Sequence, residues 1–305
     1  MAEYGFQNKA AGEHDPPAPA AFFPRRRELL RGYLLLLPAG LFMLVTLLLP
    51  VLAMVVVSWW SIIGYGFDTT PTWLNYKEIA AEPIYHVLIT RSLAISALAT
   101  IVTITLCYPI AYYVAFYIRR HKSLLLIVLT LPFWTSFLLR VFAWKMMLGY
   151  NGMVNNTLLA SGLIDRPIAA LLYSPTAVIL VLAHSWAAFV ILPIYVSLEK
   201  IDRTYLEAAA DLGDGPASRF WRITFPLSMP GVLAAFLLMF IPTVGDYITP
   251  TLVGGPDGMM VGNLIEADFG PINNWPSGAA LSVVTIVAIA ISASAFVALG
   301  KLISR

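Results

Sequence analysis

The chain has 305 residues, of which 59% are hydrophobic and 12% charged, and its mean hydropathy is +0.78. Soluble domains carry about 25% charged residues. With half that proportion the chain cannot cover a globule with polar side chains, which excludes a water-soluble globular protein. The formal net charge of +2 says little by itself, and the single cysteine, Cys107, excludes an intrachain disulfide.

The N-terminal region differs in composition from the rest of the chain. Residues 1–24 are polar, then rich in proline and alanine, and they show no helical or strand period. We expect residues 1–32 to form a cytoplasmic tail that is largely disordered. The next stretch, 33–57, has 25 residues without a charge. It exceeds the core of a signal peptide and predicts a retained membrane span.

Long apolar runs dominate the remainder, 33–305, which we predict to be a transmembrane domain. A helix needs about 20 mainly apolar residues to cross the hydrocarbon core, and in lipid each span must be helical because every backbone amide needs an internal partner. The sequence predicts an all-α polytopic membrane protein with six transmembrane helices, at 33–57, 92–118, 123–148, 174–198, 228–252 and 277–300.

The placement of the basic residues predicts the orientation. With the N-terminus in the cytoplasm, fourteen of the 19 lysines and arginines fall in cytoplasmic segments. Since cytoplasmic loops carry an excess of Lys and Arg, we predict that both termini are cytoplasmic. The protein is then a multi-pass membrane protein, in contact with membrane lipid and not with nucleic acid.

A polar segment, 200–226, interrupts the apolar runs on the cytoplasmic side. Its alanines favour a helix over Arg203–Leu212, and Gly213 is expected to end that helix. Pro216 suits the first position of a second short helix, running to about Ile223. We expect Pro226 to break the chain before the fifth span.

The segment also carries a spaced motif. Glu207-Ala208-Ala209 is followed by three residues, Gly213, nine residues, and then Ile223-Thr224-Phe225-Pro226. This pattern resembles the EAA loop of binding-protein-dependent ABC importer permeases, with Phe225 where the family usually has Leu. The resemblance implies the type I ABC importer permease fold, with 33–305 as the transmembrane permease domain in a bacterial inner (plasma) membrane. It also implies coupling to an ABC ATPase through Glu207, Ala208, Ala209, Asp211, Leu212 and Gly213.

Motifs for chemistry are missing from the sequence. It has no phosphate-binding loop of the G-x-x-x-x-G-K-[ST] type, no H-E-x-x-H zinc motif and no nucleophile elbow. We therefore expect a transport subunit and not an enzyme, with no catalytic residue and no metal site. The chain should bind no cofactor itself, with ATP and Mg in a partner ATPase.

Ionisable side chains within spans usually face the bundle interior or a water-filled cavity. Arg140 and Asp246 are expected at similar depth, and we hypothesise that they face the same substrate pathway and pair. The alternatives are that Arg140 extends to the outer interface, and that Asp246 is only a structural partner for it. Trp134 and Tyr247 can supply π faces for a cationic ligand. His184 is expected to be a hydrogen-bonded packing residue.

Further motifs narrow the family. Four further segments are similar to spermidine/putrescine permeases, and the chain resembles the first of their two related permease subunits. The segments are Pro132-Phe133-Trp134-Thr135-Ser136, Asn151-Gly152, Gly262-Asn263-Leu264-Ile265 and Trp275-Pro276-Ser277-Gly278-Ala279-Ala280. That resemblance implies import of a polyamine-like small organic cation. The implied partners are an ABC ATPase dimer, a second related permease and a periplasmic solute-binding protein.

Two alternatives stay open at this point. The same importer class also serves opines and amino-acid-like solutes. An ATP-independent secondary carrier or channel belongs to another class, but it has no use for an ATPase-docking helix at 200–226. The segment around Glu207 therefore discriminates between these classes.

Overall fold

The computed structural model describes residues 26–64 and 66–303. Most of the predicted tail, 1–32, lies outside these residues, so its disorder and the division at residue 32 stay predictions. Residues 26–32 belong to a helix instead. The chain divides into two units, Met1–Leu52 and Ala53–Arg305. In the first unit, the described residues form the greater part of that helix.

Thirteen α-helices account for most of the described chain, together with short 3-10 and π-helical turns. In chain order they are α1 (Arg26–Val57), α2 (Leu74–Ala81), α3 (Pro83–Phe116), α4 (Lys122–Thr130), α5 (Phe137–Leu148), α6 (Met153–Ala160), α7 (Pro175–Glu199), α8 (Arg203–Asp211), α9 (Pro216–Arg219), α10 (Phe225–Val244), α11 (Gly255–Gly258), α12 (Val261–Phe269) and α13 (Trp275–Ile303).

Five helical stretches within the described residues are long and apolar enough to cross a membrane: Leu34–Val57, Pro83–Phe116, Pro175–Glu199, Pro216–Val244 and Trp275–Leu302. A bent pair, Lys122–Trp134 with Phe137–Ala160, makes a sixth when counted as one span. The six predicted spans are thus present, although the second begins at Pro83 and not at residue 92.

The third span is not the continuous helix predicted over 123–148. After α4 the chain forms a 3-10 turn, Leu131–Trp134, and the two halves meet at 81°. Thr135 and Ser136 have extended backbones, with ψ of 157° and 134°. Leu131, the residue before Pro132, keeps helical geometry with φ −53° and ψ −44°. The proline therefore acts through the backbone hydrogen bond that it cannot donate. Pro132 is therefore the sequence feature that accounts for the break.

The fifth span also ends earlier than predicted, at Val244 and not at residue 252. Gly245 follows the last helical residue, and a separate π-helical turn spans Pro250–Gly254. The helix therefore ends just before Asp246. The physical reason is that the Asp246 carboxylate accepts the backbone N–H groups of Ile248 and Thr249, which starts a new turn.

The core of the second unit is formed by α3, α7 and α10, which pack against one another. Fully buried side chains from α7 and α10 fill it, among them Leu182, Ile194 and Met239. The helices α7 and α10 approach each other closely at Gly231. A Cβ there would lie 2.5 Å from the Pro193 carbonyl oxygen and 2.4 Å from the Ser197 Cβ. Only glycine fits this crossing without movement of a backbone.

The segments that we assign to the outer side contain small elements of their own. Two antiparallel strands, β1 (Ser61–Ile63) and β2 (Gly66–Asp68), form a hairpin that the all-α prediction did not include. A short helix in one of these segments is α6, at Met153–Ala160. The Asn155 side chain is buried there and bonds the carbonyl oxygens of Gly149, Tyr150 and Ile168.

Candidate functional site

The cytoplasmic segment begins with a well-formed helix start. The Asp202 carboxylate accepts hydrogen bonds from the Thr204 hydroxyl at 2.7 Å and from the Thr204 backbone N–H at 3.0 Å. These two bonds lower the pKa of Asp202, the hydroxyl bond having the larger effect. Ile201, just before this cap, is buried in the core. A buried apolar anchor and a charged N-cap together fix where α8 begins.

The helix α8 presents most of its surface to solvent. Within it only Ala209 is buried, while Glu207, Ala208 and Asp211 are exposed. Leu212, the residue after α8, is 88% exposed. The helix packs against α9 and the following π-helical turn. An exposed apolar residue at the tip of a protruding helix indicates a surface that a partner covers.

The C-terminus of α8 has the hydrogen bonds of a Schellman motif. The Asp214 N–H bonds the Ala209 carbonyl at 3.0 Å, and the Gly213 N–H bonds the Ala210 carbonyl at 2.9 Å. Gly213 has a φ of 90°, which side chains with a Cβ rarely adopt. The glycine of the spaced motif is therefore required by the backbone that turns α8 towards α9.

Side chains tie the two short helices to each other and to α3. The Asp214 carboxylate accepts from the Ser218 hydroxyl at 2.9 Å and from Arg222 at 3.3 Å. Arg219 donates to the Leu206 carbonyl oxygen at 3.4 Å, and Arg203 donates to the Phe116 carbonyl oxygen, at the end of α3, at 3.3 Å. The protrusion is therefore attached at both ends to the spanning bundle.

The prediction that Pro226 breaks the chain is wrong. Pro226 lies in the first turn of α10, where its missing N–H costs little. The preceding residues, Phe220–Thr224, form a π-helical turn in which the Phe225 N–H bonds the Phe220 carbonyl. This wider turn carries the helix through the proline, and Pro216–Val244 forms one continuous helical stretch.

The hypothesised pair of Arg140 and Asp246 is not formed in the structure. Among the residues that the structure describes, the ion pairs join Lys122 to Glu199 and Arg222 to Asp214. Arg140 bonds the Pro132 carbonyl and lies 5.2 Å from the centre of the Phe133 ring. The two charges are thus held apart by local partners of their own.

Asp246 has a clear local role. Its carboxylate accepts the N–H groups of Ile248 and Thr249 and the Thr249 hydroxyl, and so it caps the turn after α10. The predicted aromatic residues are accessible: Trp134 is 82% exposed and Tyr247 is 45% exposed. For His184 the predicted hydrogen bond is present, because the Trp144 indole N–H donates to its Nδ1 at 3.1 Å, but the side chain is exposed and not packed in the core.

Several residues of the site did not emerge from the sequence. Arg203 and Arg219 bond backbone carbonyl oxygens, which every residue has, so their partners leave no pattern in the sequence. Asp214 bonds the Ser218 hydroxyl across a turn. The one detectable signal is Asp202 two residues before Thr204, which is a typical N-cap pattern ahead of a helix.

Comparison with known proteins decides the family. Residues 20–305 match the family described as "Binding-protein-dependent transport system inner membrane component". The chain belongs to this family. It is a transport permease subunit located in the inner membrane, and its relatives are transport subunits and not enzymes.

Its relatives include two permeases named for the same transport system. The chain is 35% identical to the spermidine/putrescine transport system permease protein PotB of Haemophilus influenzae over 258 residues, which is 85% of this chain and 90% of PotB. It is 39% identical to PotB of Escherichia coli K12 over 214 residues, 70% of this chain and 77% of that protein. The E. coli inner membrane ABC transporter permease YdcU is 33% identical over 247 residues, 74% of this chain and 78% of YdcU.

Solved structures support the fold. A chain of a bacterial ABC transporter involved in the import of the acidic polysaccharide alginate matches with a TM-score of 0.68 at 17% identity. The match covers 92% of this permease and 97% of that chain. The type I ABC importer permease fold predicted from the spaced motif is confirmed.

Proposed function

We propose that this permease subunit lets an ATP-driven importer move a polyamine-like small organic cation into the cytoplasm. The observation that carries the proposal is the identity of 35–39% to permeases named for spermidine and putrescine transport, over most of the chain. A second related permease, an ATPase dimer and a periplasmic solute-binding protein complete the proposed machine. This chain binds no nucleotide, and ATP and Mg lie in the ATPase.

Coupling to the ATPase proceeds through the tip of α8. Glu207, Ala208 and Asp211 present a mixed polar surface, and Leu212 adds an exposed apolar contact. The ties from Arg203 to α3 and from Arg219 back to α8 give the tip a rigid attachment. Movement of an ATPase cleft around this tip therefore displaces the ends of α3 and α10, which belong to the spanning core.

The substrate pathway in this proposal uses the accessible aromatic faces of Trp134 and Tyr247. A cation near an exposed aromatic face gains about 0.5–1 kcal/mol, and more where water is excluded. Asp246 contributes negative charge beside Tyr247 while its oxygens hold the turn. Arg140, stacked on Phe133, limits how close a cation can approach from the α5 side.

Ligand-stimulated ATP hydrolysis by the reconstituted importer tests the substrate class. Proteoliposomes contain the whole complex, with the binding protein on the side of the membrane opposite the ATPase. They are screened with polyamines, opines and amino acids. We expect spermidine or putrescine to stimulate hydrolysis and an uncharged analogue of similar length to leave it at the basal rate. Stimulation by opines or amino acids alone would contradict the polyamine proposal.

One observation favours a second substrate class. The Nε of Arg140 is buried and has no hydrogen-bond partner. A buried guanidinium N–H needs an acceptor, and the carboxylate of an opine or an amino-acid-like solute would provide one. The substrate screen separates the two classes, because a polyamine has no carboxylate.

Replacing Asp246 by asparagine removes its charge but retains a side-chain oxygen for the turn. We expect Asp246→Asn to raise the substrate concentration that half-saturates transport by roughly fivefold, since one charge near a cation site is worth about 1 kcal/mol. Transport assays on vesicles measure this value. As a control, Asp257→Asn changes an acidic residue of α11. An Asp246→Asn variant that transports as well as the native protein would remove Asp246 from the pathway.

Replacing Gly213 by alanine tests the turn at the end of α8. A Cβ at Gly213 meets no atom within 4 Å, so only the backbone strain at φ 90° acts against it. We expect local opening to become easier by about 1–2 kcal/mol, and proteolysis of the segment in inside-out vesicles to quicken roughly 5- to 30-fold. The matched control is Gly215→Ala, where φ is −70°. Equal cleavage of both variants would contradict the assigned role of Gly213.

A further inference from the structure

A cleft with a volume of about 320 Å³ lies between the end of α3 and the cytoplasmic segment. The proposed coupling function uses the exposed surface of Glu207, which lines the cleft, but it gives no role to the enclosed space itself. Its walls combine aromatic side chains with charged ones, chiefly Tyr112, Phe116, Phe220, Arg203, Arg219 and Glu207. It therefore joins a spanning helix to the helix that carries the spaced motif.

The charges in this cleft are unbalanced. Two guanidinium groups face one carboxylate, Glu207, and neither arginine takes part in an ion pair among the described residues. Each guanidinium has five N–H donors. Arg203 and Arg219 each make one long hydrogen bond to a backbone carbonyl, and the Arg219 Nε is buried without a partner. The cleft thus holds more donors than acceptors, which suits an anion with several oxygens.

An apolar groove adjoins the cleft, because Phe220 lines both. The groove has a volume of about 400 Å³ and is lined by α3, α10 and α13 side chains, including Ile101, Tyr108 and Val232. One face of α3 carries Ile101, Tyr108, Tyr112 and Phe116, because two turns of helix separate the first two and about one turn separates each of the others from the next. At 1.5 Å per residue the stripe is about 22 Å long. It exceeds the roughly 15 Å that one leaflet contributes to the hydrocarbon core.

The cleft lies at the level of the inner membrane surface under the predicted orientation. Phe116 is the last residue of α3, and Tyr112 packs on it with ring centres 4.8 Å apart. Aromatic side chains are enriched at this level, and anionic lipids attract basic residues there. We propose that the cleft binds the phosphate group of an anionic phospholipid, with one acyl chain in the groove along α3. The bound lipid then braces α8 against α3.

Lipid retention by the purified importer tests this proposal. The complete complex is placed in nanodiscs of phosphatidylcholine that contain phosphatidylglycerol, and the anionic lipid that stays bound is counted by native mass spectrometry. We expect Arg219→Gln and Arg203→Gln each to weaken retention roughly fivefold, because one basic residue near such lipids is worth about 1 kcal/mol. Arg219→Lys keeps the charge and should retain most of the lipid.

The matched control is Arg120→Gln, which removes an exposed positive charge beside the same end of α3. Unchanged retention in this control, with loss in the two cleft variants, supports a specific site. Equal loss in all three, or no loss in any, would overturn the proposal. Binding of inorganic phosphate that both cleft variants lose, with lipid retention unchanged, would assign the cleft to a soluble anion and contradict the lipid. The assay needs no transported solute, so its outcome is independent of the substrate class.

Discussion

The Leu212→Asp variant is expected to lose stable association with the ATPase while the permease itself stays folded. Leu212 is 88% exposed in the structure, so the substitution removes no packing within the chain. In the assembled importer its side chain is expected to lie in the ATPase cleft, where a buried anchor contributes about 2 kcal/mol or more. Burying an unpaired carboxylate there adds a further cost. We expect association to weaken roughly 30-fold or more.

Co-purification from detergent-solubilised membranes, followed by titration of the ATPase onto the permease, measures this loss. The matched control is Leu163→Asp, because Leu163 is 73% exposed in the segment that we assign to the outer side. That variant should bind the ATPase as the native chain does. If Leu212→Asp also binds normally, the tip of α8 is not the docking surface.

The second large effect is expected at the crossing of α7 and α10. Gly231→Ala places a Cβ 2.5 Å from the Pro193 carbonyl oxygen, and a backbone atom cannot rotate away as a side chain can. The two helices must therefore separate within a core that is otherwise filled. Overpacking of this kind costs about 1–3 kcal/mol, and thermal unfolding in detergent should show a lower midpoint.

The matched control for this effect is Gly245→Ala. Gly245 follows the end of α10, has a φ of −90°, and a Cβ there meets no atom within 4 Å. It should unfold within a degree or so of the native chain, since surface changes usually alter stability by less than about 0.5 kcal/mol. Equal destabilisation by both substitutions would show that the close crossing at Gly231 does not limit stability.

Much of the fold was predictable because two strong signals are local in the sequence. Apolar runs without charges locate spans, and alanines followed by Gly213 locate α8. The observed helix, Arg203–Asp211, ends one residue before the predicted end. The strained φ at Gly213 then explains why the motif has a glycine at that point.

The remaining features depend on contacts that no spacing reveals. The break after Pro132 and the uninterrupted helix through Pro226 show that proline has opposite outcomes according to its position in a turn. Similar depth of Arg140 and Asp246 suggested a pair, but depth does not give the direction of a side chain around the helix axis. In the structure Arg140 donates to the Pro132 carbonyl oxygen, and Asp246 accepts from the Ile248 N–H.

Thiol labelling at the tip of α8 tests the central claim most directly. Cys107, the only cysteine of the chain, is 4% exposed, so Leu212→Cys introduces a single accessible thiol. We expect a membrane-impermeant maleimide to label this thiol in inside-out vesicles stripped of the ATPase, and rebound ATPase to protect it. Labelling from the outer side of intact spheroplasts, or labelling that the bound ATPase leaves unchanged, would contradict the account.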